Sequence, residues 1–130
     1  MSNIELWVIN SKGTPLFMFS SIKNLEAELI SGFFSTVQSF ARKFISENKE
    51  KYYSTISIGD FNYYFLCNQL YNIYFILKSS NHSKEKNIYS NLKKFEEIFI
   101  EEFRMDIIAF DGNTSRFEKF SKIIKKFLDK

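Results

Sequence analysis

Phe61-Asn62-Tyr63-Tyr64-Phe65-Leu66-Cys67, the break Asn68-Gln69-Leu70-Tyr71-Asn72, and Ile73-Tyr74-Phe75-Ile76-Leu77 decide how this chain folds. Both apolar runs are short, rich in aromatic and β-branched residues and bounded by turn formers, which marks them as neighbouring strands. Neither alternates apolar with polar. Successive side chains of a strand point to opposite faces, so Phe61, Tyr63 and Phe65 share one face while Tyr64 and Leu66 share the other. Ile73, Phe75 and Leu77 likewise oppose Tyr74 and Ile76. A sheet that is apolar on both sides has to be covered on both sides, and this predicts helices above and below it.

The flanking sequence supplies the rest. Upstream, a strand near 52–58 ends Ile56-Ser57-Ile58, and Gly59-Asp60 is a two-residue hairpin signal. At the start, Ile4-Glu5-Leu6-Trp7-Val8-Ile9 reads as a strand in which Leu6 and Val8 oppose Trp7 and Ile9. A turn over Asn10–Pro15 follows, then a second strand, Leu16-Phe17-Met18-Phe19. Residues 24–47 carry a helical stripe of Leu29, Phe33, Val37, Phe40, Ala41 and Phe44, widened by Ile30, Phe34 and Ile45, with Ser21 or Asn24 as cap. A stripe that wide predicts a deeply packed helix, and the isolated Gly32 within it fits a close approach to the sheet. After a polar loop at Ser79–Ser83, Ile88, Leu92, Phe95, Ile98, Phe99 and Phe103 mark a helix over 84–104. Asp106–Phe110 reads as a connector and Asp111-Gly112-Asn113 as a turn. Phe117, Phe120, Ile123, Ile124, Phe127 and Leu128 form the face of a last helix. Its start has capping-box spacing over Ser115–Glu118, with Asn113 and Thr114 as competing caps. Glu96, Glu97, Glu101 and Glu102, interleaved with Lys93, Lys94 and Arg104, read as a solvated outer face. The expectation is one α+β domain over residues 1–130, in the order β-β-α-β-β-β-α-α.

Composition agrees with a single core. A chain of 130 residues buries about two-thirds of its unfolded surface. Sixteen Phe and seven Tyr, with one Pro and four Gly, point to long regular elements around an aromatic interior. A net charge of +3 is too mild for a nucleic-acid partner. One cysteine excludes an internal disulfide, which fits a cytoplasmic protein and equally a disulfide-free secreted one; the expectation is a cytoplasmic protein. The amino-terminal residues lack the pattern of a signal peptide, no stretch of about 20 apolar residues predicts a membrane span, and neither end carries a lipidation motif.

Catalytic chemistry is not signalled. His82 is the sole histidine, in a polar loop without ligands at metal spacing. Cys67 lies in a strand expected to be buried, without a histidine in sequence reach. No glycine-rich phosphate loop is present. No catalytic, cofactor-binding or metal-binding residue is nominated, and the chain reads as a non-enzyme. Interaction is the better-supported class. Edge strands near 16–19 and 52–58 leave backbone groups available to a partner, and Tyr52 and Tyr53 are placed to anchor such a contact. Lys119, Lys122, Lys125 and Lys126 fall off the apolar stripe of the last helix. They are either a soluble outer face or a weak contact with anionic lipid or an acidic partner. Tyr52, Tyr53, Lys119, Lys122 and Lys126 are the candidate interface residues.

The element order resembles that of longin domains over essentially the whole chain. Ile4-Glu5-Leu6-Trp7-Val8-Ile9-Asn10-Ser11-Lys12-Gly13 is similar to their first hairpin. Leu29-Ile30-Ser31-Gly32-Phe33-Phe34-Ser35-Thr36-Val37-Gln38-Ser39-Phe40-Ala41 is similar to the first helix of prokaryotic, especially archaeal, longin-like proteins. Phe110-Asp111-Gly112-Asn113-Thr114-Ser115-Arg116-Phe117 resembles their entry into the final helix. The resemblance implies a profilin-like, five-stranded antiparallel sheet in the order 2-1-5-4-3, with the first helix on one face and the last two on the other. It implies a platform for a small Ras-like GTPase or another longin/roadblock protein, as in vesicle-trafficking machinery, often paired with itself. Unlike the trafficking SNAREs of that family, the domain is followed by no coiled-coil motif or anchor, which implies a free-standing module. The alternatives are a homodimeric scaffold and a small-ligand sensor of the PAS or profilin-like kind. A sensor needs a cavity between helix and sheet, which sixteen Phe predict to be filled.

Overall fold

A computed structural model describes residues 5–10, 14–20, 39, 53–58, 61–68, 70–80 and 85–128. The helix expected over 24–47 with its caps and Gly32, the Gly59-Asp60 turn, His82 and Tyr52 lie outside the described residues, apart from Ser39, which is helical.

The strands are β1 (Glu5–Asn10), β2 (Pro15–Ser20), β3 (Tyr53–Ile58), β4 (Phe61–Asn68) and β5 (Ile73–Ser80). Helix α1 (Glu85–Ile108), a 3-10 turn (Thr114–Phe117) and helix α2 (Phe120–Leu128) follow. The strands form one sheet in the order β2-β1-β5-β4-β3, with every pairing antiparallel. Pro15, read as part of a turn, opens edge strand β2, where its missing N–H is tolerated. The last strand of the meander returns to the centre and pairs with the first, with Val8 opposite Phe75 and Glu5 opposite Lys78.

Both faces of the sheet are buried. Leu6, Val8, Tyr64, Leu66, Phe75 and Leu77 join Leu92, Phe95, Phe99 and Phe103 of α1, and Phe117, Phe120 and Ile124 behind them, in one core. Trp7, Ile9, Tyr63, Phe65 and Ile76 form a second core on the other face. The two-residue alternation therefore partitions β1, β4 and β5 as their sequence requires, and α1 and α2 cover the first face.

Phe99 is the centre of the first core. Its ring lies 5.6 Å from Phe75 of β5, 4.9 Å from Phe103, 5.5 Å from Phe117 and 5.0 Å from Phe120. Phe17 of β2 meets Phe120 edge-on at 5.1 Å. Edge-to-face pairs of this kind contribute about 0.5–1.5 kcal/mol beyond the area they bury.

Three expectations about the helices need correction. Glu96 is not on a solvated face; it is 6 % exposed and accepts hydrogen bonds from Asn68 Nδ2 at 3.2 Å and Lys93 Nζ at 2.8 Å. Its position explains this, because it stands four residues after Leu92 and three before Phe99, inside the apolar stripe. Helix α1 also runs on through the residues read as a connector, to Ile108, with an irregularity at Phe103 (φ −118°, ψ 15°). Neither proline nor glycine occurs there. Instead, Phe103 is sealed beneath Phe117 and Phe120, while Glu102 pairs with Lys119 at 3.8 Å and Asp106 with Arg116 at 3.6 Å. The kink is thus held from outside the helix.

The third correction concerns the last helix, which starts at Phe120 rather than near Phe117. Of the competing caps, Asn113 does the capping, and it caps the 3-10 turn by accepting from Ser115 N at 3.0 Å. Gly112 supplies the positive φ of +95° that lets the chain turn into that cap. Asp111 holds the turn by accepting from Asn113 N at 3.0 Å, and this bond, with help from Arg116, keeps its carboxyl below the usual range.

Truncating the central ring tests this packing. Phe99→Ala is expected to lower the unfolding free energy in urea by about 3–5 kcal/mol, against within about 0.5 kcal/mol for the exposed Lys125→Ala. Equal effects would contradict the assignment of Phe99 to the core.

Candidate interaction surfaces

The candidate interface residues separate in space. Tyr53 opens β3, one edge of the sheet, paired inward with Leu66 of β4. Its side chain and all of Tyr52 lie outside the described residues. Lys119, Lys122 and Lys126 are exposed along the start and body of α2. That helix sits at the opposite edge, because Phe120 packs on Phe17 of β2. Strands β1, β5 and β4 stand between the two groups. They are two surfaces, not one.

Each edge has its own character. The β3 edge is tied down by side chains: the Thr55 hydroxyl bonds that of Tyr89 on α1, Tyr89 meets Tyr64 edge-on at 5.3 Å, and Ser57 Oγ donates to Asn62 Oδ1 at 2.6 Å. Among the described residues no strand pairs with the outer side of β3. The β2 edge borders an open groove of about 290 Å³. Pro15, Leu16, Phe17 and Met18 form one wall, and Thr114, Glu118 and Ser121 the other. Lys119 is held by Glu102, with its ammonium 5.3 Å from the centre of the Phe103 ring. Leu70, Met105 and Ile108 are exposed apolar side chains that sequence reading did not single out. The last two follow the kink at Phe103, so no helical stripe announces them.

The polar groups buried in the sheet are structural in geometry. Glu5 and Lys78 pair at 3.4 Å across β1 and β5, with side chains 4 % and 18 % exposed. A pair buried this way adds little net stability, but it penalises any register that parts it. Cys67, expected to be buried, is half-buried and stands opposite Tyr74. Burial pushes its thiol up, more than the hydrogen bond donated by the Tyr74 hydroxyl pulls it down, and the charge of Glu96 adds to the rise. That is the wrong direction for a nucleophile. Burial, with the adjacent Cys67, pushes the Tyr74 phenol up to about 12. Tyr63 is raised by burial and then by Glu5. Among the described residues no three His, Cys, Asp or Glu side chains converge as metal ligands. No described helix is long and apolar enough to cross a membrane.

No protein-family model and no curated protein sequence matches this chain. Solved structures do match. A Roadblock/LC7 domain from Streptomyces avermitilis aligns over 84 % of this chain and 88 % of its own, with a TM-score of 0.55 and 6 % sequence identity. The fold is roadblock-like. It is an α+β arrangement of an antiparallel sheet with helices packed on it, the longin-like plan that the element order resembles.

The raised phenol makes stability depend on pH. Between the ordinary tyrosine value of 10.0 and about 12, the folded chain keeps a proton on Tyr74 that the unfolded chain has released. This contribution is fully present below the lower value and is lost as pH rises through the upper one. Urea midpoints measured from pH 9 upward are expected to fall more steeply for the wild type than for Tyr74→Phe, and parallel slopes would refute the shift.

Proposed function

We propose that this chain is a non-catalytic protein-interaction module of the longin/roadblock kind, a platform that binds a small Ras-like GTPase or another longin/roadblock protein. The observation that carries the reading is a sheet whose two outer strands, β2 and β3, pair with no further strand among the described residues, and a filled aromatic layer between the sheet and the C-terminal helices. Open edges offer main-chain donors and acceptors to a partner. The layer where a PAS- or profilin-like sensor would hold its ligand is occupied by Phe75, Phe95, Phe99 and Phe103. The likeness to a Roadblock/LC7 domain supports an interaction role, and the raised Cys67 thiol supports a non-enzyme. On this reading the module acts in the cytoplasm, in machinery of the vesicle-trafficking type, in the manner of archaeal longin-like proteins. Its docking edge is β3, which the Thr55–Tyr89 and Ser57–Asn62 bonds hold rigid before a partner arrives. Homodimerisation through a sheet edge is the second reading, supported by the same unpaired strand.

Calorimetric titration with small GTPases encoded near its gene, each loaded with GDP or a non-hydrolysable GTP analogue, tests the first reading. Binding in at least one state is expected. Ser57→Lys, a charge on the exposed β3 edge that also removes the bond to Asn62, is expected to weaken it at least about tenfold with the chain still folded by circular dichroism. A folded chain that binds in neither state refutes the GTPase proposal. Sedimentation that shows only monomer at high concentration refutes the dimer.

A further inference from the structure

The positive charge of this chain is gathered at one end. Residues 113–130 hold six basic and two acidic side chains, a net of four positive in a chain whose total is three, so the remainder is net acidic. Arg116 is occupied by Asp106 and Asp111, at 3.6 and 3.4 Å, and Lys119 by Glu102 at 3.8 Å. Lys122, Lys125 and Lys126 remain. All three are exposed, and among the described residues none of them forms an ion pair with a carboxylate. Their spacing of three and four residues places them on one face of α2. On the other face Phe120 and Ile124 are fully buried in the first core, and Phe120 packs on Phe17, Phe99 and Phe103. The helix therefore cannot roll its apolar side outward, and it presents three ammonium groups from a fixed platform.

We propose that this face docks on an anionic lipid bilayer, by charge alone and without insertion. The chemistry of the groups selects a lipid surface over an acidic protein. A lysine ammonium is a flexible point charge suited to a diffuse field of phosphates and carboxylates, whereas recognition of one shaped acidic partner favours the planar fork of arginine. The one arginine of this segment is already engaged by two aspartates. The surface is separate from the β3 edge, so the module can meet a membrane and a protein partner at once. Each lysine near an anionic surface strengthens partitioning roughly fivefold, which makes the three together worth about 100-fold at low salt.

Co-sedimentation of the full chain with vesicles tests this, using about three parts phosphatidylcholine to one part phosphatidylserine, with pure phosphatidylcholine as control. Binding is expected only with phosphatidylserine and is expected to vanish near about 0.5 M salt. The triple variant Lys122→Gln/Lys125→Gln/Lys126→Gln is expected to lose about 100-fold. Lys94→Gln/Arg104→Gln, which removes two exposed charges from α1, is expected to stay within about twofold of wild type. Several results overturn the proposal: no binding of wild type to phosphatidylserine vesicles at low salt, equal losses in both variants, or binding to soluble polyglutamate without binding to vesicles. The wild-type comparison of lipids and salt stands even if the triple variant folds poorly.

Discussion

The contact on which the rest of this structure depends is the ring of Phe99 set among four others. Phe75 belongs to the central strand β5, Phe103 to the far side of the α1 kink, Phe117 to the 3-10 turn and Phe120 to the first residue of α2. One side chain thus joins β5, α1, the 3-10 turn and α2. Phe17, meeting Phe120, extends the joint to the edge strand β2. The nine-residue α2 is too short to be stable as an isolated helix, and its place comes from this packing rather than from propensity. The kink follows too: Phe103 enters the joint, and the Lys119 and Arg116 ion pairs hold the helix on either side of it.

Polar groups then make the arrangement specific. Glu96 is bonded to Asn68 at the end of β4 and sets where α1 crosses the sheet. Glu5 and Lys78 do the same for the register of β1 on β5. Neither interaction is a strong source of stability. Each makes a shifted alternative costly, the one by parting buried Glu5 from Lys78 and the other by taking from Glu96 its bond to Asn68.

The sheet was legible in the chain because its information is local. Alternation within Phe61–Cys67, Ile73–Leu77 and Leu6–Ile9 assigns each side chain to a face, and the two buried clusters divide those strands the same way. Glu96 was legible in principle, since Leu92, Glu96 and Phe99 share a stripe, but the acidic and basic residues around it masked the spacing. The helical state of Asp106–Ile108 was not legible, because the contacts made there come from residues beyond the turn, such as Arg116, ten residues after Asp106. Nor was the capping at Asn113, where several adjacent residues could serve and only the turn geometry chooses. The candidate interface residues fall on two surfaces, since β3 and α2 belong to opposite edges; which strands form the edges depends on strand order, not on residue type.

The proposed function follows from what the aromatic joint leaves free. Because the interior is filled, the surfaces that the described residues offer include strand edges and a charged helix face. The claim beneath this is that Phe99 and Phe120 act as one packed unit. A double-mutant cycle in urea, with Phe99→Leu, Phe120→Leu and the pair, tests it directly. Coupling of about 0.5–3 kcal/mol between the two sites is the predicted result. Additive losses, within about 0.3 kcal/mol, would show that the sheet, α1 and α2 are not held by a common joint.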